Sequence, residues 1–253
     1  MSIITTYDIE SAPNVGLVWG LYDQNVPKIV QKGYILGFAW KVLGKRVESC
    51  YIWDFPLYKT DPTNDINVIK KWIEVASMSD ILVGHNSKQF DDKMMMAGVM
   101  RHRLKPPTPF ATFDTKTSIK QVAKFNSNKL DDLGDEFGIG RKLQTGGIGL
   151  WWACMNGDKK AQKKMVSYNK QDVVLTEKLY LHERTYSKTH PALNVLDKRP
   201  DSCPRCGGAM YAGMKYKATN TNLYQYFRCR DCGGQSKARV PEPKLPDERM
   251  KYV

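Results

Sequence analysis

The chain has 253 residues, enough for one good-sized hydrophobic core and a small appendage. Its 42% hydrophobic and 26% charged residues are the balance of a soluble globular protein, and no apolar run reaches the roughly 18–20 residues of a membrane span. The net charge of +13 points first to nucleic acid and second to an anionic membrane surface.

Met1 leads straight into strand-like sequence with no charged-then-apolar leader, so an intracellular, cytoplasmic protein is expected. The first 55 residues read as strands: IITTYDI, VGLVWGLY, YILGFAWKVL and RVESCYIWDF, parted by turn-forming Gly, Asn and Pro. Side chains alternate along a strand, so Asp8 and Glu10 share one face while Ile3, Tyr7 and Ile9 line the other. Two like charges side by side repel, and burying even a polar group unpaired costs on the order of 2–7 kcal/mol. Either the strand frays before Glu10 and both acids are solvated, or a divalent cation lies between them.

From Asp65 the spacing turns helical. IKKWIEVASM reads as a helix, ILVGHN as a short buried strand, and FDDKMMMAGVMRHR as a helix opened by Asp91 and Asp92. Acids in a first helical turn often only complement the helix dipole. Periodicity does not separate the two: Asp91 shares a face with Met94, Met95 and Gly98, and Asp92 with Met95, Met96 and Val99. ATFDT follows as a short strand or loop, then TSIKQVAKF and KLDDLGDEF as helices, and a Gly-rich loop, TGGIG, precedes LWWACMNGD. The longest helix runs from Lys159 to about Tyr186. On it Met165, Tyr168, Asp172, Leu175 and Leu179 fall on one stripe. A carboxylate inside an apolar stripe needs a partner, either a lysine from another element or a metal. Strands followed by strand–helix alternation predict an α/β fold, a mixed sheet flanked by helices.

Six cysteines close the inventory. Cys50 and Cys154 stand alone in apolar surroundings, as buried thiols do. CPRCGG and CRDCGG place Cys203, Cys206, Cys229 and Cys232 as two mirrored pairs, a spacing that suits one tetrahedral structural Zn²⁺, with a hairpin turning near Asn220, Thr221 and Asn222. The unit resembles a zinc ribbon. Its YKATNTNLYQYFRCR stretch interleaves Tyr with Lys and Arg. Lys215, Lys217, Arg228 and Arg230 are therefore candidate phosphate contacts, with docking of replication or repair proteins as the alternative. Residues 187–200 read as a linker, 201–239 as the cysteine unit and 240–253 as a disordered tail.

Asp8-x-Glu10 on the first strand, Phe90-Asp91 after GHN, and Tyr168-x-x-x-Asp172 on the late helix occur in that order. They resemble the three exonuclease motifs of the DEDD (DnaQ-like) 3′–5′ exonuclease family, on a ribonuclease H-like fold. The Tyr four residues before the last Asp is similar to the tyrosine subgroup; the other subgroup has His five residues before it, where this chain has Ser167. KLDDLGDEFGIGRK is also similar to members, and the likeness covers about residues 1–185, which makes 1–186 the expected exonuclease domain. The resemblance implies two Mg²⁺ or Mn²⁺ ions held by Asp8, Glu10, Asp91 and Asp172, and a water positioned by Tyr168. The family's Phe-Asp pair favours Asp91 over Asp92. Asn86 and Phe90 become candidates for contacting the terminal nucleotide, the first by hydrogen bonding and the second by stacking or by simple core packing. His85, a single His at a strand end, reads as structural. The expected substrate is nucleic acid with a free 3′ end, single-stranded DNA first, although nothing in the residues separates DNA from RNA. An endonuclease on the same fold and a non-catalytic nucleic-acid-binding protein are the rivals.

Overall fold

The computed structural model describes residues 1–20, 22 and 25–242. The expected disordered tail falls mostly on 243–253, outside the described residues. The chain divides into two compact units, Ile3–Tyr180 and Met1–Ser2 with the chain from Leu181 onward.

The larger unit is built on a five-stranded mixed sheet. Its strands are β1 (Ile4–Ser11), β4 (Ile35–Val42), β5 (Val47–Tyr51), β6 (Ile81–Gly84) and β7 (Ala111–Asp114), in the order β5-β4-β1-β6-β7. Between β1 and β4 lies a small separate hairpin, β2 (Val15–Leu17) with β3 (Lys28–Gln31). β1 pairs antiparallel to β4 and parallel to β6, and β6 pairs parallel to β7. Helices α1 (Ile66–Met78), α2 (Asp91–Arg101), α3 (Thr115–Val122), α4 (Leu130–Glu136), α5 (Gly149–Met155) and α6 (Lys159–Glu183) connect and cover these strands. This is the predicted α/β architecture. The core gathers Tyr7, Phe38, Tyr51, Ile69, Trp72 and Met95, all under 2% exposed, and burying a side chain of this size is worth roughly 1.5–3 kcal/mol.

Two strands run differently from the expectation. VGLVWGLY forms a strand only over Val15–Leu17, and its partner Lys28–Gln31 was not foreseen. Beyond Leu17 the run is exposed: Val18 is 51% and Trp19 93% accessible. RVESCYIWDF stops being a strand at Tyr51, because Asp54 Oδ2 accepts the Tyr51 N–H at 2.8 Å and turns Ile52–Asp54 into a 3₁₀ turn ahead of Pro56.

The smaller unit holds α7 (Leu193–Leu196) and a three-stranded antiparallel sheet of β8 (Met210–Ala218), β9 (Leu223–Cys229) and β10 (Gln235–Lys237), in the order β10-β9-β8. The β8–β9 connection spans Thr219 to Asn222, as the turn residues there suggested. Residues 187–200, expected as a loose linker, are tied to the cysteine unit. The Leu193 N–H donates to the Pro204 carbonyl and Arg205 Nε to the Ser187 carbonyl, both at 2.9 Å.

The register of β1 explains one glycine. Glu10 stands opposite Gly37, and Gly37 stands opposite Tyr51 on the far side of β4. A Cβ at Gly37 would lie 2.2 Å from the Tyr51 ring, so only Gly lets that ring lie on the sheet. Replacing Gly37 by Ala overpacks the row, a change that costs roughly 1–3 kcal/mol. The expected outcome is a melting temperature lowered by several degrees; an unchanged melting temperature would show that Tyr51 repacks freely.

Candidate active site

β1 continues as a strand through Glu10 to Ser11, with a register shift against β4 between the two, so the fraying alternative does not hold. Its pairing with β6 ends at Thr6–Val83, whereas its pairing with β4 carries on past Glu10. The carboxyl half of β1 therefore borders a crevice where β6 leaves toward α2, the usual place for a site in an α/β sheet. In that half the Ile9 N–H, beyond the reach of β6, donates to Asp91 Oδ1 at 3.1 Å. Small residues, Ala39 and Gly37, face Asp8 and Glu10 across the β1–β4 ladder and leave room beside the carboxylates.

The long helix α6 brings the third acid. Asp8, Glu10 and Asp172 each place one carboxylate oxygen within 4.8 Å of the others. Glu10 and Asp172 are buried and Asp8 is partly buried. Each has one oxygen held by a donor. Asn169 Nδ2 bonds Asp8 Oδ2 at 2.8 Å, Trp151 Nε1 bonds Glu10 Oε2 at 3.0 Å, and Lys142 Nζ pairs with Asp172 Oδ2 at 2.6 Å. The buried Asp172 Oδ1 has no hydrogen-bond partner. Asn169 is itself held by the Tyr51 hydroxyl, which donates to its Oδ1 at 2.9 Å.

These contacts bear on two choices that periodicity left open. The partner of Asp172 includes a lysine, Lys142, from the loop after α4; the KLDDLGDEFGIGRK segment anchors it there, with the Lys142 N–H donating to Asp131 Oδ1 at 2.7 Å. The two acids opening α2 have different neighbours. Asp92 accepts the Tyr7 hydroxyl on the opposite face of β1, while Asp91 is buried beside Ile9 and adds to the negative field at Asp8. Asp91 stays outside the close set of three, so the structure draws together three of the four expected acids.

Tyr168 lies one turn before Asp172, its ring 6.2 Å from Trp151 in an edge contact and beneath the Lys142 ammonium at 5.0 Å. Burial, with the Asp172 charge adding to it and Lys142 opposing it, raises the pKa of its hydroxyl. Asn86 occupies the turn after β6 with φ of 68°, its N–H given to Asp114 Oδ1 at 3.2 Å. Phe90 is not core: it is 46% exposed and edges a groove lined also by Ala12, Pro13, Ile29 and Met94. His85 has both ring nitrogens engaged, by Thr115 Oγ1 and the Asn128 carbonyl, and burial pulls its pKa down to about 4, which keeps it neutral. Lys142, Asn169 and Trp151 are the site residues that sequence reasoning missed. The available signals were the helical spacing of Asn169, four residues after Met165 and three before Asp172, and the lysine closing GIGRK.

Charge makes the acids uncomfortable in this setting. Burial, followed by the neighbouring Asp172, pushes Glu10 up to about 8 despite the Trp151 bond. Burial raises Asp91 to about 7, and burial together with Asp91 and Asp172 holds Asp8 well above the carboxylate range. Asp172 is raised by burial despite Lys142. Burial opposes the Lys142 charge, but Asp172 beside it keeps that ammonium above its ordinary value. The donor set fits a divalent cation. All three donors are hard carboxylate oxygens, the class that Mg²⁺ and Mn²⁺ prefer, and the buried Asp172 carries an oxygen without a hydrogen-bond partner.

In the smaller unit the four cysteines converge. Sγ separations are 3.7 Å for Cys203–Cys232 and 3.5 Å for Cys206–Cys229, close to the spacing of about 3.8 Å set by four thiolates around zinc at about 2.3 Å. Gly207 and Gly233, with φ of 76° and 70°, form the left-handed corner behind each pair. Backbone N–H groups of Arg205, Gly208 and Gly234 point at the sulfurs from 3.4 Å. Cys50 and Cys154 are buried in the main core.

Comparison with known proteins now bears on the larger unit. A family model of the RNase_H superfamily, RNase_H_2, matches residues 34–183, more than half of the chain. The chain belongs to the RNase H superfamily. The match begins after β1, so within this RNase H superfamily chain the placement of Asp8 and Glu10 rests on the geometry above. Among solved structures, a family B DNA polymerase from the hyperthermophilic archaeon Pyrobaculum calidifontis superposes with a TM-score of 0.53 at 16% identity. The overlap covers 73% of this chain and 25% of that one, so the chain spans a quarter of the polymerase's length, and at this identity the likeness is one of fold. No curated protein matches.

The raised acids give a stability dependence with a definite sign. Glu10 and Asp91 hold protons in the folded state that the unfolded chain has lost by about pH 5, so the metal-free fold loses stability as pH rises through 7 to 8. The neutral His85 and His190, both lowered to about 4, act in the opposite direction but only below about pH 6.5. In buffer without divalent ions, Glu10→Gln is expected to melt higher than the wild-type chain at pH 8, by at least ~1 kcal/mol or about 2–4 °C. The gap should narrow at pH 6. An equal gap at both values would contradict the assignment.

Proposed function

We propose that this chain is a metal-dependent 3′–5′ exonuclease that removes nucleotides one at a time from the 3′ end of a nucleic acid, single-stranded DNA first. The observation that carries the reading is the set of three carboxylates within 4.8 Å, with Asp172 Oδ1 orphaned and Tyr168 one turn away on the same helix. Membership of the RNase H superfamily and the net charge of +13 support it.

Asp8, Glu10 and Asp172, with Asp91 behind them, would hold two Mg²⁺ or Mn²⁺ ions. When bound, such ions supply positive charge to both the attacking and the leaving oxygen of phosphodiester hydrolysis. The protein's own groups supply the rest. Tyr168, partly buried and fixed between Lys142 and Trp151, orients the water that attacks phosphorus. Lys142 favours the ionised form of Asp172 against burial and lies over the Tyr168 ring. As the new P–O bond forms, the bond from phosphorus to the preceding 3′ oxygen breaks. That oxygen takes a proton and becomes the new 3′ end, and a nucleoside 5′-monophosphate leaves. Phe90, exposed beside the groove, is offered to the terminal base, and the turn at Asn86 to its sugar or base edge. Residues 1–186 would carry this chemistry, and 201–239 would be a zinc-ribbon domain closed by one structural Zn²⁺ on Cys203, Cys206, Cys229 and Cys232.

A 5′-labelled single strand with Mg²⁺ or Mn²⁺ tests the reading: a ladder shortening from the 3′ end is expected. Internal cuts would make it an endonuclease, and no cleavage would leave a binding protein. Asp8→Ala and Asp172→Ala should abolish cleavage; the metal-free melting temperature should hold or rise in Asp8→Ala, which relieves repulsion, and fall in Asp172→Ala, which leaves Lys142 unpaired. Asp91→Asn should be inactive and Asp92→Asn active.

For the smaller unit, metal analysis of protein purified under reducing conditions without chelator should find one zinc per chain. The Cys206→Ser, Cys229→Ser pair should lose it, and zinc at full stoichiometry in that variant would reject the assignment.

A further inference from the structure

Side chains alternate across β9, and Cys229 at its end points to the sulfur cluster, so Arg228, Tyr226 and Tyr224 have opposite parity to Cys229. The register extends that face to both neighbours. Tyr211 of β8 pairs with Arg228, Lys217 of β8 with Tyr224, and Lys237 of β10 with Tyr226. Contacts agree with the parity: Lys237 Nζ lies 4.0 Å from the Tyr224 ring centre, and the Arg230 guanidinium 5.5 Å from that of Tyr211. Arg228, Lys217, Lys237 and Tyr211 are exposed, Tyr224 and Tyr226 partly so. The three strands hold four basic residues and no acid. Of the four cations read from the sequence, Lys217 and Arg228 are on this face and Arg230 borders it. Lys215 falls in the irregular stretch between Ala212 and Tyr216.

The geometry assigns this face of the β10-β9-β8 sheet as a binding platform for single-stranded nucleic acid. Tyr224 and Tyr226 offer their rings to two successive bases, and Lys217, Arg228 and Lys237 meet the phosphates on either side. Cations spaced between rings, with no acid among them, complement a chain that alternates flat bases with negative phosphates. An acidic peptide would need the cations but not the rings. Lys237 now rests on Tyr224; a stacked base outweighs an exposed ammonium on the same ring, and the displaced ammonium swings to the adjoining phosphate. A duplex, its bases already stacked on one another, gains nothing from the tyrosines.

The assignment is tested by binding alone, with full-length protein in buffer free of divalent ions, so it stands or falls apart from the exonuclease reading. The probes are a labelled oligothymidylate and a blunt duplex of equal length. Tyr224→Leu and Tyr226→Leu keep apolar bulk on the sheet but remove the ring, and each should weaken single-strand binding roughly 5- to 100-fold with duplex binding unchanged. Tyr224→Phe and Tyr226→Phe should bind as wild type. Lys217→Gln, Arg228→Gln and Lys237→Gln together should flatten the plot of log affinity against log salt by about 2. Zinc content confirms that each variant keeps its cluster. In the unaltered protein, light-induced crosslinking to an iodouracil-bearing strand should map to Tyr224 or Tyr226. Wild-type affinity in the Leu variants, equal losses in the Phe variants, or crosslinks confined to residues 3–180 would each overturn the platform. Undiminished single-strand binding by the triple Gln variant would do the same and leave the face to a protein partner.

Discussion

Like charge held in a small, poorly hydrated space is the constraint on which the larger unit depends. Three carboxylates within 4.8 Å repel by about 3.5 kcal/mol per pair at an effective dielectric near 20, a sum comparable with the whole stability of an ordinary domain. The fold offsets part of that with the Lys142 ammonium and with donors from Asn169 and Trp151. It makes room with Gly37 and Ala39 on the facing strand. It also protonates: the upward displacement of Glu10, Asp8 and Asp91 is the remaining strain expressed as proton affinity. A site that resists its own ionisation is poised to accept positive charge, and its instability without that charge follows directly from its binding capacity.

What could be read in the chain was whatever repeats with a local period. Asp8 and Glu10 share a face because a strand alternates every two residues, and Asp172 declared itself by interrupting an apolar stripe at helical spacing. The sheet, most helix positions and the cysteine hairpin were legible for the same reason. Lys142, Trp151 and Asn169 were not. Their roles arise only when a loop, a short helix and a long helix converge on β1, and an isolated lysine after GIG has no period to betray it. The strand at Val15–Leu17 is shorter than VGLVWGLY suggested, because an apolar run extends a strand only where a neighbouring strand or core receives it.

The cysteine unit obeys a different economy. Almost none of its side chains are fully buried apart from Cys203 and Cys229, so apolar packing contributes little and a four-sulfur centre must substitute for a core. One consequence is that the sheet keeps aromatic rings at its surface. A domain relying on its tyrosines for stability would have turned them inward. Surface and stability are separable here in a way they are not in the larger unit, where Tyr51 both fills the core and orders Asn169.

The central position of β1 has a consequence for the order in which the molecule comes into being. Asp8 and Glu10 precede Lys142 and Asp172 by more than a hundred residues, so they leave the ribosome well before them. At a translation rate of about 5–20 residues per second, the two early acids spend roughly 10–30 seconds without the helix that completes their cluster. During that interval β1 has β4 to pair with, while β6 and then α6 are still to come. Closure of the carboxylate cluster thus waits for α6, and a product truncated before that helix would carry the sheet without the third acid.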